Sequence, residues 1–517
     1  MAVEAVSGNG CEAVAPAPAK KVSAKEAVAV SKNASFREES NFLDDLKERE
    51  RKALAELRDK VEAAIVEGKL FDDGKAEEKE AAAKKKTEVA MEEEVKKEKE
   101  AGAEEEEEQE EKKDADAVEK KEEEGKKETD AEEKNEEEGK EEANKVEHAE
   151  GEKQAETAAT VVDKDIALWG VPLLPSKGDE ATDVVLLKFL RARDFKAGAA
   201  FEMLRRTLRW RRDWKGFAGD EGADADGALL PEELEGACYL DGADREGHPV
   251  CYNALGVFAD NVVYTKALGT EVGKARFLRW RVRAMERHVA ELEFKPGGAV
   301  SLLQVTDLRN SPGPAKKDLR VAVKQVLDLF QDNYPELVAR NILINVPFWY
   351  YAFSTLFYPF LTQRTKSKFV IARPSKVTET LLKYIPIEAI PVKYGGLKRD
   401  GDTEFSTEGG EVTELTVKTS STETIEIEAS EADSTLTWDL TVLGWEVNYK
   451  EEFVPADVGS YTIIISKGKK MGSAEEAVRN SFHAGEPGKV VLTVENTSHR
   501  KKKVLFRHKA KSSAKKC

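Results

Sequence analysis

The stretch DNYPELVARNILINVPFWYYAFSTLFYPFLTQRTKSKFVIA, residues 332–372, places two short apolar runs on either side of an aromatic-rich segment. The runs NILINV (341–346) and KFVIARP (368–374) are rich in Val, Ile and Leu, and they have the length of buried strands. Between them, eight of the fourteen residues at 347–360 are aromatic. Two buried strands joined by a helical segment predict neighbouring parallel strands in an α/β fold.

More strands and helices alternate on the N-terminal side of this stretch. HPVCYNAL (248–255) follows the turn DREG, and AVSLLQVTDL (299–308) is a second apolar run; both are predicted strands. Helical stretches are predicted at 270–292, 315–331 and 349–362. Residues 230–399 are therefore predicted to form a mostly parallel sheet with crossover helices.

The segments that flank this α/β region have different periodicities. Residues 182–214, TDVVLLKFLRARDFKAGAAFEMLRRTLRWRRDW, carry apolar side chains at helical spacing on both sides of the turn RDFKAG. They predict a small helical subdomain within residues 161–229. After Gly395 and Gly396 the pattern alternates with period two, as in TIEIEA and TLTWDLTV, and it predicts a C-terminal β-sandwich over residues 400–517.

The N-terminal 160 residues carry most of the net charge. Residues 91–150 hold 29 acidic and 12 basic side chains, a net charge of −17, whereas the whole chain carries −18. With few large apolar side chains, residues 1–160 are predicted to be disordered and low in complexity, apart from an amphipathic helix near 35–70 that Ser40 or Asn41 would cap. The acidic tract is either a solvated spacer or an electrostatic restraint on a basic surface.

Motifs of catalysis and metal binding are missing from the sequence. It has no GxSxG elbow, P-loop, HExxH or dinucleotide fingerprint, and its six histidines are scattered. Its four cysteines form no CxxC pair and no cluster along the chain, so no metal and no cofactor are predicted. The missing motifs predict a protein that is not an enzyme. No run of 18 apolar residues and no signal-peptide pattern occurs, which predicts a cytoplasmic protein.

Several blocks resemble a known family in the order in which they occur. They are LLKFLRARDF (186–195), DREGHPV (244–250), VTDLRN (305–310), the opening stretch, and YIPIEAIPVKYGG (384–396). All five resemble CRAL-TRIO lipid-transfer proteins, and the C-terminal β-domain resembles a GOLD domain. A disordered acidic N-terminus, an α/β CRAL-TRIO domain preceded by a helical subdomain, and an all-β GOLD sandwich are together similar to the plant patellins.

The resemblance implies a role for the aromatic segment. In the family, the helix after the NVP strand end is part of a gate over a lipid cavity. These aromatics are too many for one buried stripe of a surface helix. The alternative is ordinary packing under neighbouring helices. The side chains expected to contact a gate or an acyl chain are Phe348, Trp349, Tyr351, Phe353, Phe357 and Phe360.

The resemblance also implies a lipid head-group site. A phosphate requires Lys or Arg, and inositol hydroxyls require a carboxylate that accepts hydrogen bonds. Asp194 and Leu337 stand where the family often has basic residues, and they depart from its pattern. From the residues alone, Glu336 could equally be a helix cap or a surface ion pair, and Lys368 a solvated residue at a strand edge. The positions that match the family's set are Arg193, Glu336, Thr365 and Lys368.

A basic stretch near the C-terminus predicts contact with an anionic membrane surface, to which each basic residue contributes about 1 kcal/mol. A solvated tail or nucleic-acid binding are the alternatives, but no nucleic-acid fold accompanies the lysines. The expected membrane-surface residues are Arg500, Lys501, Lys502, Lys503, Arg507 and Lys509.

Together, these features predict a peripheral membrane protein that carries a phosphatidylinositol or a phosphoinositide. The resemblance implies vesicle trafficking, including cell-plate formation in cytokinesis, at the cell plate and plasma membrane. Its expected partners are a phospholipid, an anionic membrane and trafficking proteins that bind the GOLD domain, but no nucleic acid. The alternative is an adaptor in which the bound lipid only targets or senses and the GOLD domain recruits protein partners.

Overall fold

The computed structural model describes residues 38–71, 165–177, 180–214, 232–312, 316–347, 367–405, 410–472 and 475–512. The chain divides into two compact units, one of Met1–Ala64 with Lys164–Cys517 and one of Ile65–Asp163. Apart from residues 65–71, the described ranges belong to the first unit. Within these ranges, no helix has both the length and the apolar content needed to cross a bilayer.

The N-terminal amphipathic helix, α1, spans Glu48–Val66 and follows a 3-10 turn at Leu43–Asp45. The prediction of Ser40 or Asn41 as its cap was wrong, because the helix begins further along the chain. Asn41 is instead buried, and its Oδ1 accepts a hydrogen bond of 2.7 Å from Arg191 Nη1. This contact holds the segment before α1 against the folded part of the chain.

The helical subdomain consists of a short hairpin and two helices. Strands β1 (Ala167–Leu168) and β2 (Val171–Pro172) pair antiparallel, and helices α2 (Glu180–Ala192) and α3 (Ala197–Asp213) follow them. Every side chain of α2 from Thr182 to Arg191 is buried. Arg58 of α1 forms an ion pair of 3.0 Å with Asp183 of α2, so α2 is covered in part by α1.

The α/β domain is built on one five-stranded sheet with the order β3-β4-β5-β6-β7. Its strands are β3 (Cys238–Ala243), β4 (Pro249–Ala254), β5 (Leu302–Asp307), β6 (Val338–Ile344) and β7 (Phe369–Ile371). Only the β3–β4 pair is antiparallel. The predicted mostly parallel sheet is therefore confirmed, and β3 is an edge strand that the apolar runs did not reveal.

Four described helices accompany this sheet. They are α4 (Asn261–Leu268), α5 (Glu271–Ala290), α6 (Lys317–Asn333) and α7 (Val377–Leu381). The helices predicted at 270–292 and 315–331 correspond to α5 and α6 within two residues. The helix predicted at 349–362 lies outside the described residues. Short 3-10 turns occur at Pro175–Lys177, Glu232–Ala237, Leu255–Ala259, Pro374–Lys376, Ile387–Ala389 and Val392–Tyr394.

The C-terminal domain is a sandwich of two antiparallel four-stranded sheets with the orders β13-β10-β15-β8 and β12-β11-β14-β9. Its strands are β8 (Thr413–Val417), β9 (Ser421–Ala429), β10 (Ser434–Val442), β11 (Val447–Pro455), β12 (Ile463–Met471), β13 (Val478–Ala484), β14 (Gly488–Asn496) and β15 (Lys502–Ser512). Trp438, Tyr449 and Val490 belong to one buried core that draws on both sheets. The predicted all-β sandwich is confirmed.

The glycine pair between the two domains is required by close packing. Gly395 has φ of 82°, a left-handed conformation that other residues adopt at a cost. A Cβ atom at Gly395 would clash with Thr378 Oγ1, and one at Gly396 would clash with the carbonyl of Ile390. The turn that ends the α/β domain therefore depends on both glycines.

Candidate functional site

Glu336 and Lys368 meet at the beginnings of neighbouring parallel strands. Glu336 lies just before β6 and Lys368 just before β7, and the backbone N–H of Asn341 donates to the carbonyl of Lys368. Lys368 Nζ lies 2.7 Å from Glu336 Oε2, with both side chains only 12–14% exposed. It also donates to the carbonyl of Val338 at 2.8 Å. The two residues, 32 positions apart in sequence, thus form one sheltered ion pair.

The backbone of Glu336 is held in an uncommon conformation. Its φ of 55° lies in the left-handed region, where a residue with a Cβ is strained by about 1–2 kcal/mol. The buried Lys188 of α2 donates a hydrogen bond of 2.8 Å to the carbonyl of Glu336. Strain supported by a buried charged donor is typical of a residue whose side-chain direction matters.

A second polar group joins the N-terminal segment to the sheet. Glu38 Oε2 lies 2.7 Å from His248 Nε2, and Glu38 Oε1 accepts a hydrogen bond of 2.7 Å from Ser301 Oγ. On its other side, His248 Nδ1 lies 2.9 Å from Asp244 Oδ2. Burial opposes ionisation of Glu38, but the His248 hydrogen bond and the charge of Lys188 outweigh it and lower its pKa to about 2.

The pKa values of the two cations in this group, Lys188 and His248, are shifted in opposite directions. Burial lowers the pKa of Lys188 to about 7, although Glu38 and Glu336 partly oppose the effect. For His248, burial lowers the pKa, but the hydrogen bonds that its ring donates to Asp244 and Glu38 prevail and raise it to about 10. The imidazolium is therefore charged at neutral pH. Glu38, Lys188 and His248 thus lie close to the predicted head-group pair.

Sequence reasoning did not identify these three residues. The sequence did contain a signal for Lys188, because this lysine interrupts the apolar run VVLLKFL between Leu187 and Phe189. The structure shows that the side chains of this run are all buried. His248 offered the DREGH spacing, which places it four residues after Asp244 in a turn. Glu38 offered none, because its partners lie 210 and 263 positions away.

Of the other predicted lipid contacts, the structure describes only Arg193. Arg193 lies just after α2, half-buried, and its Nη1 donates to the carbonyl of Ala192 at 3.0 Å. Thr365 lies outside the described residues. So do the six aromatic residues of the predicted gate, Phe348, Trp349, Tyr351, Phe353, Phe357 and Phe360. The head-group assignment therefore rests on Glu336 and Lys368.

The two faces of the five-stranded sheet differ. One face contributes Val250, Leu303 and Ile342 to a continuous apolar core. The strand register places two rows of side chains across the other face. These rows are Cys251–Gln304–Asn341–Phe369 and Asn253–Thr306–Leu343–Ile371, of which Gln304, Thr306, Asn341, Phe369 and Ile371 are only half-buried. Such a face can be the floor of a ligand cavity.

Two polar atoms on this face have no hydrogen-bond partner among the described residues. Asn253 Oδ1 and Asn341 Oδ1 are both buried, and no described residue donates a hydrogen bond to either. Leaving a buried acceptor unpaired costs about 1–3 kcal/mol, so such atoms are typical of sites that receive a ligand or a water.

A large cleft lies elsewhere in the described part of the chain. It measures about 2520 Å³ and runs between the α/β domain and the sandwich, past Arg245, Lys393 and Glu414. Its walls mix both signs of charge, and neither Glu336 nor Lys368 lines it. We therefore do not assign a head group to this cleft.

The predicted membrane-surface residues separate into two groups. Arg500, Lys501 and Lys503 are exposed, and Lys503 forms an ion pair with Glu414. The remaining three lie, like Lys503, on strand β15, where a tail was expected, and are engaged with the protein: Lys502 with Glu446, Arg507 with Asp439 and Lys509 with Glu404. Arg507 is 5% exposed, which removes it from any membrane surface.

A different surface of the sandwich combines apolar and basic side chains. Val458 and Tyr461, just before the edge strand β12, are almost fully exposed. Ile463 and Ile464 at the start of β12 are also exposed, and the lysines at 467, 469 and 470 follow along the same strand. We call residues 458–470 the β12 surface. Sequence reasoning did not single it out, although YTIIISKGKK shows both features.

Three potential metal ligands converge, although the sequence predicted no such cluster. The donor atoms of Cys238, Cys251 and His288, all buried, lie within 4.8 Å of one another. Both cysteines are free thiols. The sequence could not suggest this group, because its members come from β3, β4 and α5 and have no ligand spacing.

Comparison with known proteins agrees with this architecture. The chain matches the family models of the CRAL/TRIO domain (residues 234–396), the CRAL/TRIO N-terminal domain (93–206) and the Patellin-1-like C-terminal GOLD domain (418–503).

Full-length relatives extend the match to nearly the whole chain. Patellin-4 of Arabidopsis thaliana is 53% identical over 94% of this chain and 91% of its own length. Patellin-6 of the same plant is 48% identical over 68% of this chain and 83% of its own. The phosphatidylinositol transfer protein SFH5 of Meyerozyma guilliermondii is 30% identical over 33% of this chain and 51% of its own. The chain belongs to the patellin family, with a CRAL-TRIO domain followed by a GOLD domain.

Proposed function

We propose that this patellin binds one phospholipid in its CRAL-TRIO domain and carries it between membranes. The proposed lipid is a phosphatidylinositol or a phosphoinositide. The observation that carries the proposal is the sheltered Glu336–Lys368 pair, supported by the named activity of the relative SFH5. We further propose that the protein acts peripherally in vesicle trafficking, including cell-plate formation, as the family resemblance suggests.

The ion pair has the chemistry that an inositol phosphate requires. An ammonium attracts a phosphate oxygen, and a carboxylate accepts hydrogen bonds from ring hydroxyls. In the structure each member satisfies the other, which offsets the cost of burying two charges. On binding, Lys368 would turn to the phosphate and Glu336 to the hydroxyls, so neither charge is left unpaired. Arg193 and Thr365 are proposed to complete the head-group site.

The acyl chains are proposed to lie on the half-buried sheet face. Leu343, Phe369 and Ile371 offer apolar contact there, while Asn253 and Asn341 offer buried acceptors. The aromatic residues between 348 and 360 are proposed to close this cavity as a gate. Exchange would then be physical, with no covalent step: the gate opens at a membrane, one lipid leaves and another enters.

Docking to the membrane is proposed to use the GOLD domain. The β12 surface combines exposed apolar side chains, which can enter a bilayer interface, with lysines that attract anionic lipids. Arg500, Lys501 and Lys503 are proposed to add to this attraction. Tyr461 suits an interface because its ring is apolar and its hydroxyl is polar.

The test is lipid transfer between vesicles by the full-length protein. The double variant E336A/K368A removes both members of the pair together, so neither charge is left buried alone. We expect transfer of labelled phosphatidylinositol to fall at least about tenfold, which corresponds to about 1.4 kcal/mol. Transfer of phosphatidylcholine, which lacks inositol hydroxyls, should change less.

The chain offers a matched control. Lys376 and Glu379 form a similar ion pair of 2.6 Å on the surface, with both side chains more than half exposed. The K376A/E379A variant should transfer both lipids at the wild-type rate. If E336A/K368A also retains full phosphatidylinositol transfer, the head-group site is elsewhere. If the wild type binds lipid but transfers none, the adaptor function is favoured instead.

A further inference from the structure

The first observation is a buried group of soft ligands at the β3–β4 edge of the sheet, beside the face proposed for the acyl chains. Cys238 begins β3, Cys251 lies on β4, and His288 lies in the last turn of α5. The strand register pairs Cys238 with Asn253 and Leu240 with Cys251, so the two cysteines are diagonal neighbours on one face of the hairpin. We propose that Cys238, Cys251 and His288 bind a thiophilic divalent cation, with Zn²⁺ as the best match.

The geometry is close to that of a tetrahedral zinc site. With Zn–S near 2.3 Å and Zn–N near 2.0 Å, tetrahedral angles place sulfur and nitrogen about 3.5 Å apart. Cys251 Sγ and His288 Nδ1 are 3.5 Å apart. All three donor atoms lie within 4.8 Å of one another, whereas two zinc-bound sulfurs are separated by about 3.8 Å. Side-chain rotations that shift the donor atoms by about 1 Å would therefore complete three-ligand coordination.

The surroundings supply the outer contacts that metal ligands usually have. Asn253 Nδ2 lies 3.8 Å from Cys251 Sγ and can donate to it. Donors of this kind orient sulfur ligands and stabilise their negative charge. Two thiolates balance the charge of one Zn²⁺, so the buried site would be neutral.

A surface depression gives a cation access to this group. It measures about 660 Å³, and both Cys238 and His288 line it, together with Asp241, Glu291 and Arg287. Its charges therefore have both signs, and Asp241 is paired with Lys398. Water in the depression can supply the fourth ligand. Zinc is favoured over the oxygen-preferring Mg²⁺ and Ca²⁺ because two of the three ligands are sulfur. Bound there, the ion would fasten the edge strand β3 to β4 and α5.

The test uses Co²⁺ as a spectroscopic substitute for Zn²⁺. Chelator-treated, reduced full-length protein is titrated with Co²⁺, and the sulfur-to-cobalt charge-transfer absorption is recorded. The key sample is the variant C11S/C517S, in which Cys238 and Cys251 are the remaining cysteines. We expect C11S/C517S to give the charge-transfer absorption with one Co²⁺ per chain, and Zn²⁺ to displace the cobalt.

Ligand variants give the second readout. C238S and C251S should each weaken Zn²⁺ binding by on the order of 100-fold or more in a competition assay with a chromophoric chelator. Zn²⁺ should raise the melting temperature of C11S/C517S and leave that of C238S unchanged. Absence of thiolate charge transfer in C11S/C517S would overturn the proposal even if C238S failed to fold. Equal Zn²⁺ affinity in C238S and C11S/C517S would overturn it as well.

Discussion

At the scale of single residues, the ionic hydrogen bond between Glu38 and His248 holds the N-terminal segment against the sheet. Its contribution to stability depends on pH through the pKa values of both residues. The folded-state pKa of His248, about 10, lies above its ordinary value of 6.5. Its contribution to stability is therefore complete below pH 6.5 and is lost as the pH rises towards 10. Glu38, with a pKa near 2, contributes above pH 4.5 and loses this contribution as the pH falls towards 2. Lys188 acts oppositely, because its pKa is lowered by burial. Protonating it destabilises the fold as the pH falls from 10.5 towards 7, and this cost is complete below about pH 7.

Substituting His248 tests this anchor. H248Q should speed hydrogen exchange of residues 38–46 about 30-fold at pH 6, since hydrogen bonds between charged groups contribute about 2 kcal/mol. Hydrogen exchange measured by mass spectrometry at several pH values should show the difference from wild type shrinking towards pH 9.5. H483Q, at an exposed histidine, is the control. A difference between H248Q and wild type that is constant with pH would contradict the charged anchor.

The candidate site shows what the sequence could provide at this scale. The resemblance named Glu336 and Lys368, and the structure brings them to 2.7 Å. It did not name Lys188 or Glu38, because their roles depend on contacts between residues 148 to 263 positions apart. The convergence of Cys238 and Cys251 likewise requires the β3–β4 hairpin, whose first strand has no apolar pattern.

At the scale of elements, sequence periodicity predicted the strands whose side chains pack into a buried core. Strands β4, β5 and β6 contain short apolar runs because one face of each packs into a continuous buried core. Strand β3, CYLDGA, lies at the edge and is half-exposed, so selection for apolar residues there is weak. The basic C-terminal stretch was partly misinterpreted as a tail for a related reason. Lys502 and Arg507 on β15 are buried against acidic partners, which charge counting alone cannot reveal.

The β12 surface leads to a prediction about membrane binding. K467E/K469E/K470E replaces three cations by three anions and should reduce cosedimentation with phosphatidylserine vesicles at least about tenfold, because each cation near an anionic leaflet contributes about 1 kcal/mol. The effect should weaken as salt is raised. K418E, which reverses an exposed charge next to β8 in the other sheet, should bind almost normally.

Removing the apolar side chains separates insertion from attraction. Y461S/I464S keeps all lysines, so its residual binding should remain sensitive to salt while its total affinity falls. Equal binding by wild type, K467E/K469E/K470E and Y461S/I464S would exclude the β12 surface from docking. It would not affect the head-group proposal, which the transfer assay tests with other residues.

At the scale of the whole molecule, a buried ionic network connects the GOLD domain with the chain that leads into it. Asp439 is fully buried on β10 and accepts hydrogen bonds from Arg479 and Arg507. Arg507 also donates to the carbonyl of Leu397, at the end of the CRAL-TRIO domain, at 3.1 Å. Asp402 in the connecting segment accepts from Arg479. The two domains thus share side-chain contacts as well as the chain between them.

Neutralising Asp439 should weaken this network strongly. D439N leaves Arg479 and Arg507 to share Asp402 as their remaining carboxylate. Breaking the buried ion pairs with Asp439 costs about 3–5 kcal/mol. Scanning calorimetry should show the GOLD transition at a clearly lower temperature. D433N, at an exposed aspartate before the same strand, should leave the melting profile unchanged. Identical profiles for D439N and D433N would contradict a structural role for the network.

The central claim is that the CRAL-TRIO domain holds an inositol phospholipid through Glu336 and Lys368. The most direct measurement is mass spectrometry of the lipid that co-purifies with the full-length protein and with E336A/K368A. We predict about one phosphatidylinositol or phosphoinositide per wild-type chain, and its loss from the variant while K376A/E379A retains it. A stoichiometric sterol or other uncharged lipid in the wild type, or undiminished phosphatidylinositol in E336A/K368A, would contradict the claim.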